Sequence, residues 1–198
     1  KTIEAIILPI FDNYPLLTSK YFDYLRFKKA LALLNNTDLS KKEKDTKLLN
    51  LKNSKIAHEY KSPAWNNVYL PLKDIYLVKA IMSKAWLIGF IEAEGSFYLT
   101  SKDSKRIVHG FGLTQKLDEI VLQAIGLTLH ISNSVRYKEI YNHYILDTTN
   151  SRAIENIIIY FKDTMQGVKS LEYKIWARSY NRNKGDYLKL YLIRDMVR

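Results

Sequence analysis

Two carboxylates close an apolar run and are the side chains best placed to do chemistry in this 198-residue chain. The run is WLIGFIEAEGSF, Trp86 to Phe97, with Glu92 and Glu94 just ahead of Gly95. A hard cation such as magnesium is held by one or two carboxylates and its own waters. Acidic groups at a helix C-terminus oppose the helix dipole, so a purely stabilising role fits poorly and a ligand role gains. The plainer alternative is a helix end whose carboxylate pairs with a lysine. The formal net charge of +11 favours an anionic partner, nucleic acid first and anionic membrane second. Lysine outnumbers arginine, which suits phosphate neutralisation more than dense base reading. There is no cysteine, so disulfides and thiolate metal sites are excluded. His109, His130 and His143 have no spacing that demands a metal.

The acidic pair needs a helix to carry it. Ala85, Gly89 and Ala93 recur four apart, so the helix expected over Lys84 to Glu94 has one face almost without side chains. Such a face lets a second helix approach closely. Strands are expected over Ser96 to Lys102 and Arg106 to Thr114, joined at Asp103-Ser104. A helix over Leu117 to Ile125 should be closed by Gly126. A second hairpin should pair Thr128 to Arg136 with Ile140 to Thr148. Ser151, with Glu155 close behind, should open a helix to Lys162, and Lys169 to Tyr180 reads as the last strong helix, followed by an amphipathic tail. The order αββαββαα defines an α+β protein whose antiparallel sheet has one face under helices and one open to a ligand.

Strand alternation then nominates contacts. Ser96, Tyr98, Thr100 and Lys102 share one parity, as do Arg106, Val108, Gly110 and Gly112. His130, Ser132, Ser134 and Arg136 form a polar face opposite Leu129, Ile131 and Val135. Tyr141 to Leu146 does not alternate cleanly and has no assigned face. The bland alternative for all of these is a solvated polar sheet face.

The chain also repeats itself. TSKYFDYLRFKKA (Thr18 to Ala30) aligns with GVKSLEYKIWARS (Gly167 to Ser179), matching Lys20 with Lys169, Asp23 with Glu172, Tyr24 with Tyr173 and Phe27 with Trp176. IEAIILPIF echoes IENIIIYFK upstream of each. Residues 1–30 therefore read as the tail of one repeat, 31–83 as a basic linker, and 84–198 as a whole repeat with a helical tail. In the linker, Ser40 and Glu43 have capping-box spacing for a short helix through Leu51, and Trp65, Val68 and Leu70 are candidate anchors. No apolar run approaches membrane-spanning length. The chain begins Lys1-Thr2 without methionine, as a processed or longer product would.

WLIGFIEAEGSFY resembles the signature of the LAGLIDADG homing endonucleases and maturases, with Leu87 to Gly95 matching its nine residues. FGLTQK (Phe111 to Lys116), GVKSLEYKIWA, ILPIFDNYPLLTSKYFDYLRFKKA and SPAW resemble further segments of two-motif, organellar intron-encoded members, in the right order. The resemblance implies αββαββα repeats whose motif helices pair at Ala85, Gly89 and Ala93, over saddle-shaped antiparallel sheets that hold duplex DNA. It implies hydrolysis of DNA phosphodiesters with Mg2+. Glu94 maps to the metal ligand, and Glu92 to a position that mainly supports the helix end. Gln115 and Lys169 map near the cleavage centre, and Lys20 is the equivalent lysine of the first half. Only one motif is present, so a second half or a larger assembly must complete the site. The alternatives are a group I intron maturase and an organellar RNA- or ribosome-associated protein. Richness in Lys, Ile, Asn and Tyr resembles products of AT-rich genomes such as organellar ones, and with the resemblance to intron-encoded members the expected location is organellar, the mitochondrial matrix.

Overall fold

The computed structural model describes residues 2–196 and divides into two compact units, Lys1–Val68 and Tyr69–Arg198.

The first unit is helical. A π-helical turn, Ile3–Ile7, runs into α1 (Leu8–Asn13), followed by α2 (Lys20–Asn35) and α3 (Lys41–Asn53). α2 passes the expected boundary at Ala30 because nothing before Asn36 breaks it. The capping box forms: the Ser40 side chain accepts from the Glu43 N–H, and the Glu43 carboxylate accepts from the Ser40 N–H at 2.8 Å. Arg26 donates to the carbonyls of Leu51 and Lys52 at 3.1 and 2.6 Å, satisfying groups that the end of α3 leaves open. The segment after α3 folds back on this unit. Ser62 Oγ donates to the Leu16 carbonyl at 2.5 Å and Trp65 Nε1 to that of Leu17 at 2.7 Å. Trp65 and Val68 are buried, whereas Leu70 is exposed and is no anchor.

The second unit runs α4 (Ile75–Ile81), α5 (Lys84–Glu94), β1 (Ser96–Asp103), β2 (Arg106–Gln115), α6 (Glu119–Thr128), β3 (Arg136–Lys138), β4 (His143–Thr148), α7 (Ser151–Phe161), α8 (Lys169–Asn183) and α9 (Tyr187–Arg194). The four strands form one antiparallel sheet in the order β1-β2-β4-β3. One face is sealed. Phe97, Phe111 and Leu113 pack with Ile154, Ile157, Phe161, Tyr173 and Trp176, and all of them are buried. Ring centroids of Phe97 lie 5.4, 5.3 and 5.0 Å from those of Phe111, Tyr173 and Trp176. α9 adds Leu190 to Leu99 and Ile107.

The third strand is shorter than the sequence predicts. α6 does not stop at Gly126, which lies within it and against Leu146. It ends in a Schellman turn: the Ile131 N–H reaches the Gly126 carbonyl at 2.8 Å, and His130 takes the left-handed conformation at φ 55°. The chain then loops to Arg136. His130, Ser132 and Ser134 therefore lie on a loop and make no strand face, because a left-handed residue cannot continue an extended ladder. A 3-10 turn at Glu139–Tyr141 delays the fourth strand to His143. α7 is capped by Asn150, which accepts from the N–H groups of Arg152 and Ala153 at 3.0 and 3.3 Å; Ser151 is its first helical residue.

The two segments that align in sequence make comparable contacts within their own units. Tyr24 donates to the Leu8 carbonyl at 3.0 Å, and its counterpart Tyr173 donates to that of Ile158 at 2.8 Å. Lys20 pairs with Asp23 at 3.1 Å, and Lys169 with Glu172 at 3.6 Å. They differ in cover. Trp176 is 0% exposed under the sheet, with Nε1 donating to the Tyr98 carbonyl at 3.1 Å, whereas Phe27 is 45% exposed. The first unit has no strand among its described residues.

Candidate active site and nucleic-acid surface

α5 is built to expose its end. Ser83 caps it, accepting from the Trp86 N–H at 3.2 Å. Leu87 and Ile91, one turn apart, are fully buried, while Ala85, Gly89 and Ala93 are exposed on another side. A methyl placed at Gly89 would have nothing within 4 Å. Gly95 is required by space rather than by backbone angle. Its φ is −71°, but a Cβ there would sit 2.6 Å from the Ile91 carbonyl oxygen and 2.7 Å from the Ile91 side chain.

The two carboxylates have different surroundings. Glu92 is half-buried and accepts from the Gln166 N–H at 2.5 Å. Its second oxygen fills the space a side chain at Gly167 would need. Glu92 thus ties the last turn of α5 to the segment leading into α8. Glu94 is exposed at the end of α5, and Gln115, the last residue of β2, donates to it through Nε2 at 3.4 Å. Lys169 opens α8 and pairs with Glu172, whose other oxygen accepts from the Phe97 N–H at 3.2 Å. Lys169 is thereby tethered to the α5–β1 junction. Lys20 lies in the first unit, paired with Asp23.

No group of three or more acidic or histidine side chains capable of holding a metal occurs among the described residues. What is present is one exposed carboxylate with an amide beside it. Magnesium takes one or two carboxylates and keeps several waters. Glu94, exposed and with the Gln115 amide beside it, has the chemistry of one such carboxylate.

The pairing register defines the open sheet face. On it lie Ser96, Tyr98 and Thr100 of β1, opposite Gly112, Gly110 and Val108 of β2. An irregularity between Ser101 and Asp103 sets Asp103, not Lys102, opposite Arg106. Thr114 continues this face of β2, Ile145 and Asp147 extend it across β4, and Arg136 and Lys138 close it on β3 opposite Ile145 and His143. Thr114, Lys138, His143 and Asp147 were not nominated from sequence. The signal was present in HYILDT, but only the start of β4 at His143 reveals the alternation.

Tyr98 lies flat on this face. A Cβ at Gly110 would fall 2.2 Å from its ring, and one at Gly112 3.5 Å. The two glycines are thus the floor on which the ring rests. Burial, with the nearby Asp147 carboxylate adding to it and Arg136 opposing, raises the Tyr98 hydroxyl above its ordinary pKa. Arg136 Nη2 binds Asp147 Oδ1 at 2.5 Å.

On the sealed face, His109 is buried edge-on to Trp176 and Tyr180, with Nε2 2.7 Å from Ser179 Oγ. The Ser179 hydroxyl proton goes to the Trp176 carbonyl at 2.8 Å, so the imidazole donates through Nε2. Burial, with Lys184 adding to it, pushes the His109 pKa down to about 4. It is a core residue, not a ligand.

The sequence profile described as LAGLIDADG endonuclease matches residues 1–31 and 87–180. A probable intron-encoded endonuclease, Cox1-I1b of Schizosaccharomyces pombe, is 39% identical over 197 residues, covering 97% of this chain and 48% of the relative. An uncharacterised mitochondrial protein, RF1 of Saccharomyces cerevisiae, is 36% identical over 116 residues, covering 58% of this chain and 21% of the relative. The chain thus spans about half the length, or less, of these curated relatives. Among solved structures, the meganuclease I-SmaMI bound to uncleaveable DNA superposes with a TM-score of 0.72 at 24% identity, over 98% of this chain and 72% of that one. I-SmaMI bound to uncleaved target with calcium gives 0.70 at 25% identity, over 98% and 71%. These likenesses establish the α+β meganuclease fold.

Proposed function

From the membership of this chain in the LAGLIDADG endonuclease family, we propose that it is the second half of a DNA-cleaving homing endonuclease. Residues 1–30 are then the tail of a first repeat, 31–83 the connection, and 84–198 the complete repeat. The observation that carries the reading is Glu94, an exposed carboxylate at the end of a helix whose Ala85-Gly89-Ala93 face is bare, with the Gln115 amide at 3.4 Å. The bare face receives the motif helix of the other half, which brings a second carboxylate to the same metal. The absence among the described residues of a complete metal cluster agrees with a site divided between halves.

In this reading Glu94 contributes one carboxylate to magnesium, which when bound supplies Lewis acidity and a more acidic water at the scissile phosphate. Gln115 is uncharged and both donates and accepts, so it holds water near that carboxylate without changing the charge of the site. Lys169, fixed by Glu172, adds positive charge where the phosphate becomes more negative. Lys20 has the same task in the first half. The open sheet face lies against the duplex, with Ser96, Tyr98, Thr100, Arg106 and Arg136 on it, Lys102 at the irregular end of β1, and His130, Ser132 and Ser134 on the segment between α6 and β3. The working compartment is the mitochondrial matrix. The intron-RNA alternative draws no support from the relatives described by activity, which are endonucleases.

The test is cleavage of a randomised duplex library by this chain joined to a first-motif half, with magnesium and with chelator. Metal-dependent cutting that Glu94→Gln abolishes is expected. Cutting by the variant at the parent rate overturns the ligand assignment. Tight intron-RNA binding without any DNA cutting overturns the enzyme reading.

A further inference from the structure

One row of residues crosses the open sheet face from β1 to β3. On β1, Tyr98 lies flat. On β2, Gly110 and Gly112 withdraw their side chains to admit the ring. On β4, the Cβ of Asp147 lies 3.6 Å from where a Gly112 Cβ would be, so Asp147 borders the same floor. On β3, Arg136 reaches diagonally past its direct partner Ile145 to bind Asp147 at 2.5 Å. Tyr98 feels both charges. Arg136 remains 52% exposed and Asp147 32% exposed.

An arginine free in solvent samples many rotamers, and ordering it costs entropy. Here one end of the guanidinium is fixed by a carboxylate at the sheet surface, and it carries five donors in a rigid fork. Asp147 engages Nη2 alone, and the Arg136 side chain remains half exposed. In the major groove, guanine alone offers two adjacent acceptors, O6 and N7, that match such a fork. A plain phosphate contact gains nothing from Asp147, whose negative charge repels the backbone. Resting on the proposed DNA-binding role, we propose that Arg136 reads a guanine of the target duplex and that Asp147 is its positioning residue.

The two residues predict opposite signatures. Arg136→Ala loses the preference for guanine at one base pair, about ten- to a hundredfold, and through the loss of one positive charge binds unrelated duplex somewhat more weakly. Asp147→Ala frees the guanidinium and removes a negative charge, so guanine preference falls while affinity for unrelated duplex rises. Asp147→Asn keeps an acceptor oxygen and retains most of the preference, although it too gains affinity for unrelated duplex. A residue that only held the sheet together would move both affinities in the same direction.

The experiment is enrichment of a randomised duplex library on this chain and on each variant, with total affinity measured at several salt concentrations. One position where guanine is favoured by the parent, lost in Arg136→Ala and restored by Asp147→Asn relative to Asp147→Ala, supports the proposal. Retention of every base preference in Arg136→Ala overturns it while leaving DNA binding intact. So does identical behaviour of the two Asp147 variants. A parent chain that binds no duplex beyond its general charge attraction overturns the DNA reading itself.

Discussion

Lowering the pH from 7 to 5 should destabilise the second unit through His109 alone by about 2 kcal/mol. His109 is 3% exposed and its pKa is held down to about 4, against about 6.5 in an unfolded chain. Its folded pKa is depressed, so the unfolded chain binds more protons between those two values, and stability rises with pH across that window. The contribution is fully present above about pH 6.5, falls as the pH drops through the window, and is exhausted below about pH 4, where the total loss is about 3 kcal/mol. The structure supplies the cause. The Ser179 hydroxyl donates to the Trp176 carbonyl and accepts from Nε2–H in either ring form, so it does not favour the neutral ring; the cause is burial against the aromatic walls of Trp176 and Tyr180, which leaves the positive charge of the doubly protonated ring poorly solvated. The assay is urea unfolding at a series of pH values, followed by signals of the second unit, beside an NMR titration of the His109 ring in the folded protein. His109→Gln keeps a donor for Ser179 and cannot titrate in this range. It should be less stable at pH 7 and lose less stability than the parent on going to pH 5. A His109 ring that titrates above pH 6 in the folded state, or a variant with the parent's full pH slope, refutes the reasoning.

Four further outcomes follow from particular contacts. Trp176→Ala should cost about 3–5 kcal/mol in chemical unfolding, while Phe27→Ala at the matching repeat position should cost far less in this chain, because Phe27 lies open. Gly110→Ala must lift the Tyr98 ring and should destabilise by about 1–3 kcal/mol, with a change in tyrosine fluorescence or ring NMR shifts. Asn150→Ala removes the α7 cap and should cost about 1 kcal/mol by thermal or urea unfolding. Gly89→Ala should fold normally in this chain, since an added Cβ meets nothing within 4 Å, yet weaken assembly with a first-motif half measured by co-purification.

Much of the fold was legible because it rests on local rules. The Ser40–Glu43 box, the apolar run closed by Glu94 and the alternation of Ser96 to Thr100 are patterns of neighbours, and each forms as read. The aligned residues also have comparable contacts: Lys20 and Lys169 each pair with the acid three residues on, and Tyr24 and Tyr173 each donate to a carbonyl of the preceding helical segment. Other features were decided only by folding. His130 looked like one residue of a strand, but the end of α6 needed a left-handed position and took it, which erased the polar face assigned to Ser132 and Ser134. Glu92 and Glu94 look alike in sequence, yet the loop before α8 claims Glu92, while Glu94 reaches solvent beside Gln115. Asp147 stood in the alternation of HYILDT, but nothing in the sequence marked its partners. Its importance comes from standing across the sheet from Tyr98, Gly112 and Arg136, which are 49, 35 and 11 positions away in the chain. Periodicity reports which side of an element a residue occupies. What stands opposite it is fixed by strand order and register, and those arise from contacts between distant segments.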